Sequence, residues 1–212
     1  MPEQQNIPTT GWVPAWADLQ ERPAEAANHG FAVGTGAEQS SEGLEYITGW
    51  PAPGAEELAA KAAAEGMRLT LVTAESGLTD GPAPEGLTPV SELVLVMAPT
   101  AELITGVELP ENAQVALAPM ETFDAVEITL FDRPVARGRI QVRDDFAAVA
   151  IGELPEGPEK ETLERALFAA MAEEAFIHGS EYLHMVVGQE AAASYKASGW
   201  TAAARLVSFE KK

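Results

Sequence analysis

The chain has 212 residues, 46% of them hydrophobic, no cysteine, and 33 Asp and Glu against 13 Lys and Arg, a formal net charge of −20. This composition supplies a packed core and excludes disulfides, thiolate nucleophiles and cysteine-ligated metal. Its negative field excludes general nucleic-acid binding, because a phosphate backbone is held by clustered cations.

No stretch approaches the roughly 20 apolar residues of a membrane-spanning helix, and the opening MPEQQNIPTTGW has neither a basic nor an apolar region. The chain is therefore read as cytoplasmic, with no membrane partner. His29, His178 and His184 have no metal-site spacing, so no metal is expected. Residues 1–110 hold 3 basic and 16 acidic side chains, residues 111–212 hold 10 and 17. A solvated acidic surface is the ordinary reading; a cationic substrate or partner is compatible with it, and a homo-oligomer is left open.

To about Ser41, Pro, Gly, Ala and acids alternate without period, which predicts loops with a short helix near Trp16–Leu19 and another at Pro23–Asn28. From Leu44 a β-α-β unit follows: LEYITGW as strand, AEELAAKAAAEG as a helix capped by Gly66, and RLTLVTA as strand. Residues 75–90 carry Gly77, Gly81, Pro82, Pro84, Gly86 and Pro89, which predicts turns, and SELVLVMAP reads as a buried strand. TAELITGVELPENA looks like a connection, with the boundary near 108–112.

In the second half, Gln114–Ala118, Ala125–Phe131, Val135–Arg143 and Phe146–Leu154 read as an antiparallel meander, turning at Asp132-Arg133-Pro134 and Asp144-Asp145. The period then changes to helical, with Leu163, Leu167, Ala170, Met171 and Ala175 on one stripe of a helix that ends at Gly179. EYLHMVV reads as a strand, QEAAASYKASGW as a helix closed by Gly199, and TAAARLVSFEKK as a last strand. The fold class is α/β (α+β).

This order, strands, helix, strand, helix, strand, with Gly188, Ala191, Ser194, Tyr195, Gly199 and Trp200 in a fixed frame, resembles the C-terminal core of the GNAT acetyltransferase superfamily. It is also similar to actinobacterial acetyltransferase-like proteins in which a partial N-terminal half precedes a compact core. The resemblance implies an acyl-CoA N-acyltransferase-like mixed sheet flanked by helices over 111–212, preceded by a smaller, degenerate GNAT-like β-α-β half over 1–110.

It further implies acetyl-CoA as acyl donor and an amine, small or cationic, as acceptor. Tyr195 becomes the general acid for the departing thiol, Glu153 the strand-borne general base, and the Leu154 amide the donor to the thioester oxygen. Aligning Arg165-Ala166-Leu167 with the family's helix puts its pyrophosphate loop on Lys160, Glu161, Thr162 and Leu163, with Glu159 and Glu164 at its ends. There, however, Gly157 is the only glycine between Gly152 and Gly179, and Glu153, Glu156, Glu159, Glu161 and Glu164 crowd one lysine. Phosphate cradles use glycine for close backbone approach, and carboxylates oppose an anion. Two readings follow: a GNAT N-acetyltransferase, or a GNAT-shaped binding or assembly module that has lost the loop.

Several residues also have plain structural readings. First-turn acids and Thr162 or Glu159 fit helix capping. Arg137, Arg139 and Arg143 share a strand face and are expected to pair with Glu127 and neighbouring acids. His184 shares a face with Tyr182 and Val186 and reads as a packed histidine. Trp12, Trp16, Trp50 and Trp200 read as core or interface anchors.

Overall fold

A computed structural model of the chain describes residues 10–27, 29–34, 43–74, 84–106 and 108–211. Its elements in chain order are α1 (Val13–Leu19), β1 (Ala24–Ala27), β2 (Gly30–Gly34), β3 (Leu44–Gly49), α2 (Ala55–Glu65), β4 (Arg68–Thr73), β5 (Leu87–Pro99), α3 (Thr100–Ile104), β6 (Ala113–Pro119), β7 (Asp124–Leu130), β8 (Arg133–Arg143), β9 (Phe146–Glu153), α4 (Lys160–Ile177), β10 (Tyr182–Gly188), α5 (Gln189–Ala197) and β11 (Thr201–Lys211). Contacts group them into two compact units, 1–96 with 186–212, and 97–185. The boundary near 108–112 divides the elements by chain order; the grouping by contacts instead carries the C-terminal strand back to the first unit. Among the described residues no helix is long and apolar enough to cross a membrane.

In the first unit the strands run in the order β1-β2-β3-β4-β11-β5. The β-α-β reading holds: β3 and β4 are parallel, with Ile47 opposite Thr70, and α2 crosses between them. Gly66 caps α2 at φ 71°, a left-handed conformation that glycine reaches without steric cost. The expected helix near Trp16–Leu19 is α1, held by buried Trp12 edge-on to Trp16 with ring centroids 5.7 Å apart.

The expected helix over Pro23–Asn28 is instead β1, antiparallel to β2 with Ala24 opposite Val33 and Ala27 opposite Gly30. Alanine favours helix by less than a ladder with a neighbouring strand returns, so tertiary pairing overrides the local preference. Asn28 itself lies outside the described residues, as do Gly77, Gly81 and Pro82 of the expected turn region. β5 starts at Leu87, so Pro89 sits inside a strand; the position is exposed, which is where a strand tolerates proline.

A polar cluster is built into the middle of this sheet. Glu45 is 5% exposed; Arg22 donates to its Oε2 at 2.7 Å and the Thr70 hydroxyl to its Oε1 at 2.6 Å. Thr70 also meets the Ser208 hydroxyl at 2.7 Å, and the Arg22 Nε donates to the Gly34 carbonyl. One carboxylate thereby joins the segment after α1 to β3, β4 and β11.

In the second unit the order is β10-β9-β8-β7-β6, an antiparallel meander from β6 to β9 with β10 parallel to β9. The β7–β8 turn is Phe131-Asp132, with φ of 51° and 60°, one residue earlier than expected. A two-residue turn with both central φ positive matches strand twist, and Pro134 then falls in β8 opposite Thr129. α4 packs on β7 and β8 through Leu163, Leu167, Met171 and Ala175, all buried, with Ala170 at the rim of the stripe. Gly138 permits this approach: a Cβ there would lie 3.3 Å from the Met171 sulfur. The expected connection 100–113 contains α3, which packs on α4 and is anchored where the Thr100 amide donates to the Glu181 carbonyl at 2.9 Å.

Removing Glu45 strands the Arg22 guanidinium, whose side chain is only 14% exposed. Breaking one side of such a pair costs about 3 kcal/mol, whereas Thr70→Val loses one hydrogen bond and about 1 kcal/mol. Urea unfolding of Glu45→Ala and Thr70→Val should return that ranking.

Candidate functional site

The meander leaves one side of β9 open over its second half. β9 and β10 pair only at Leu183 with Ala147 and at His184 with Ala148. β9 continues through residues 149–153, where among the described residues its ladder partner is β8 alone. The unpaired side of β9 then leads through Leu154 and Pro155 to the start of α4.

A β-bulge sits at the open end. Arg137 opposes Glu153 while Gly138 opposes Ile151, so Gly152 is the extra residue. Bulges bend and twist a strand and are frequent beside functional sites. Glycine inside a strand pattern is the sequence signal for this bulge, and the reading of β9 as a regular strand passed over it.

Glu153 at the bulge is not a lone carboxylate. The Arg137 guanidinium donates to Glu127 at 2.8 Å and to Glu153 at 3.4 Å, and Glu153 is 73% exposed. The pairing expected between the strand arginines and Glu127 is present at Arg137, whose protonated form these two carboxylates stabilise further, Glu127 foremost. Arg139 lies over the Phe123 ring, 4.4 Å from its centroid.

α4 begins at Lys160, with Glu159 at the N-cap in helical conformation and no side-chain cap bond, so neither Glu159 nor Thr162 caps it. The helix is closed by backbone instead: the Lys160 amide donates to the Gly157 carbonyl at 3.3 Å and the Leu163 amide to the Glu159 carbonyl at 2.9 Å. By helix geometry the Glu161 and Thr162 amides face off the end of α4. Glu156, Glu159, Lys160, Glu161 and Thr162 are all exposed around them, and Leu163 is buried beneath. Gly157, at φ 120°, is the one residue of this loop in a glycine conformation.

His184 forms the second of the two rungs that β10 makes with β9. It is buried at 4% exposure, its Nδ1 meets the Ala147 carbonyl at 3.3 Å, its Nε2 has no partner, and the Phe146 ring lies alongside at 5.5 Å. Burial pushes its pKa down to about 4, against the smaller opposing effect of the Ala147 hydrogen bond. Period-two counting gave the face but not the orphaned nitrogen, which depends on what covers the strand.

Tyr195 belongs to the first unit. It is half-buried on α5 with its ring 5.7 Å from that of Trp200, and its carbonyl accepts from the Ser198 and Trp200 amides in the turn that Gly199 completes at φ 96°. The Tyr-x-x-x-Gly-Trp frame is therefore a helix-closing turn with an aromatic pair across it. Among the described residues no group of three His, Asp or Glu could hold a metal.

No protein-family model matches the sequence, and no curated protein matches it. Solved structures do. The chain is similar to a GCN5-related N-acetyltransferase from Kribbella flavida, at 20% identity and TM-score 0.61 over 92% of this chain and 94% of that one. It is similar to a GNAT-family acetyltransferase from Colwellia psychrerythraea, at 12% identity and TM-score 0.52 over 95% and 90%. A functionally unknown conserved protein from Staphylococcus epidermidis matches at 9% identity and TM-score 0.56 over 90% and 94%. The chain has the GNAT acetyltransferase fold.

His184 makes a signed prediction. Its folded pKa lies below its unfolded value, so the unfolded chain binds the extra proton and stability falls as pH drops from about 6.5 through 4. The loss attributable to this residue reaches about 3 kcal/mol at the acid end, and less after relaxation. Comparing urea unfolding at pH 7 and pH 4.5, His184→Leu should lose less stability than the parent chain; an identical loss would remove His184 from the acid response.

Proposed function

We propose that the chain is an N-acyltransferase that takes its acyl group from a CoA thioester, acetyl-CoA in the first instance, and passes it to an amine. The observation that carries this reading is the open side of β9 beyond Ala148, where among the described residues β8 is its one ladder partner, leading into the N-terminus of α4. The similarity to GNAT folds along nearly the whole chain supports it.

The cofactor fits the backbone better than it fits the side chains. On the side away from β8, β9 beyond Ala148 has no ladder partner among the described residues, and the Leu154 amide is the donor that would polarise a carbonyl lying along it. The Glu161 and Thr162 amides, with the positive end of α4, are the donors for a pyrophosphate, and Lys160 is the cation beside them. Against them stand Glu156, Glu159, Glu161 and Glu164, each opposing an anion by about 0.3–1 kcal/mol at a helix N-terminus. No glycine nest lets the chain close on the phosphates; at Gly157 a Cβ would meet nothing within 4 Å, so that glycine serves the turn rather than a close approach.

A bound acetyl-CoA supplies an acyl group already activated as a thioester. The chain's part is to orient that group and manage two protons. The Leu154 amide holds the carbonyl oxygen. Glu153, exposed and shared with Arg137, accepts the amine proton through water rather than by direct contact in a dry pocket. The family resemblance gives the return of a proton to the departing thiol to the Tyr195 hydroxyl. The acidic surface favours a cationic amine as acceptor.

These charges give the reading a distinctive signature. Most phosphate sites weaken as salt rises; here added salt screens repulsion, so acetyl-CoA affinity should rise between low and physiological ionic strength, where the Debye length is about 8 Å. A double change, Glu159→Gln with Glu161→Gln, should tighten binding several-fold and flatten that dependence. Tyr195→Phe should keep binding and lose about 100-fold in turnover. The measurement is calorimetric titration with a thermal-shift control, in which ligand at about 100 times Kd adds roughly 2.7 kcal/mol. No heat and no shift at millimolar ligand, in the parent and in the double variant, would sink the proposal.

A further inference from the structure

On the second unit, away from the open side of β9, the outer edge of β6 has no strand partner among the described residues. β6 reads Ala113-Gln114-Val115-Ala116-Leu117-Ala118-Pro119, seven residues without a charge. Among the described residues it ends the strand order, pairing with β7 only. Natural edges are usually blunted by lysine, proline or a bulge, because an unpaired row of amides and carbonyls templates another strand. This edge has one proline, at its last position.

The flanking hydrogen bonds tell which groups face outward. The Met120 amide donates to the Phe123 carbonyl at 2.8 Å and the Asn112 carbonyl accepts from the Phe131 amide at 3.3 Å, so the even-numbered positions bond to β7. By two-residue alternation the odd ones face away. The Ala113 amide is taken by the Pro110 carbonyl at 3.0 Å, which leaves the Val115 and Leu117 amides on the outer edge.

Val115 and Leu117 also line a groove of about 340 Å³, together with Ile104 of α3, Leu109, and Ala170 and Ile177 of α4. Three of these are large apolar side chains left in water: Leu109 is 41% exposed, Leu117 40% and Ile177 75%. Backbone donors and an apolar trough thus lie on the same strand. Strand addition uses that combination, with main-chain bonds for affinity and alternate side chains in a groove for specificity.

Charge identifies the occupant. No Lys, Arg or His occurs between Arg68 and Arg133, while Glu111 and Glu121 are exposed beside the two ends of β6 and Glu173 stands at the groove. A second copy is disfavoured: antiparallel pairing of two β6 strands about Ala116 sets Glu111 opposite Glu121 at both ends. We infer that the β6 edge and its groove bind an extended peptide segment of another protein, alternating in apolar residues and flanked by lysine or arginine.

The test uses the full chain and two labelled heptapeptides of alternating Val and Leu, one ended by lysines, the other by glutamates, read by fluorescence anisotropy. The lysine-ended peptide should bind at least tenfold more tightly than the glutamate-ended one. Leu117→Pro, which removes an outward amide without touching the β6–β7 ladder, should weaken it at least tenfold. Ile177→Lys, on an exposed helix end where folding is not at stake, should do the same. Equal binding of both peptides, or undiminished binding by Ile177→Lys, overturns the proposal. So does a concentration-dependent dimer in sedimentation that Leu117→Pro dissociates, because the occupant would then be a second copy.

Discussion

The pairing of β11 with β4 is the constraint on which the first unit depends. Arg205 to Phe209 run antiparallel to Thr73 to Leu69, so the last strand of the chain lies beside one made from its first third. Side chains hold β11 on both sides: to β4 through Arg68 with Glu210 at 2.6 Å, and to β5 through Arg205 Nε with Glu92 at 2.6 Å and the Thr88 hydroxyl donating to the Glu210 carbonyl at 3.2 Å. The entropy of closing so long a loop grows only logarithmically with its length, so the arrangement costs little stability. It does make the unit's contacts non-local, which slows folding more than it weakens the fold.

That seam explains where the buried charge is placed. Glu45 could not be tolerated in a half-formed sheet, because its partners come from Arg22, Thr70 and, through Thr70, Ser208. A carboxylate with all its partners present is compatible with a tight core, and one missing a partner is not. The cluster thus ties correct pairing of three strands to the satisfaction of one side chain. Elsewhere the same chemistry is used loosely: Arg137 holds two carboxylates in water, where solvent screening leaves such pairs little effect on stability.

Elements whose period and punctuation agree were readable from sequence. The α2 helix between Ala55 and Gly66, the β7–β8–β9 meander and the α4 stripe carry both signals, and all stand within a few residues of their expected bounds. β1 was not readable, since Ala-Glu-Ala-Ala has helical propensity and becomes a strand only because β2 lies beside it. The start of β5 was hidden by Pro89. At the site, the resemblance drew attention to the residues near Glu153 and α4, but the sharing of Arg137, the extra residue Gly152 and the buried, unpartnered nitrogen of His184 are facts of register and packing. The acidic loop was legible as charge; that it lacks a side-chain cap and closes through Gly157 was not.

The charge pattern along the chain has a consequence for how the protein is cut and marked. Because no lysine or arginine falls between Arg68 and Arg133, the stretch holding β5, α3 and β6 lies within a single tryptic fragment. Proteases that read basic residues have no cleavage site in the passage from the first unit to the second. Lysine-directed conjugation has no acceptor there either, so any covalent tagging of this chain through lysine must fall on Lys61 or on the residues from Lys160 onward.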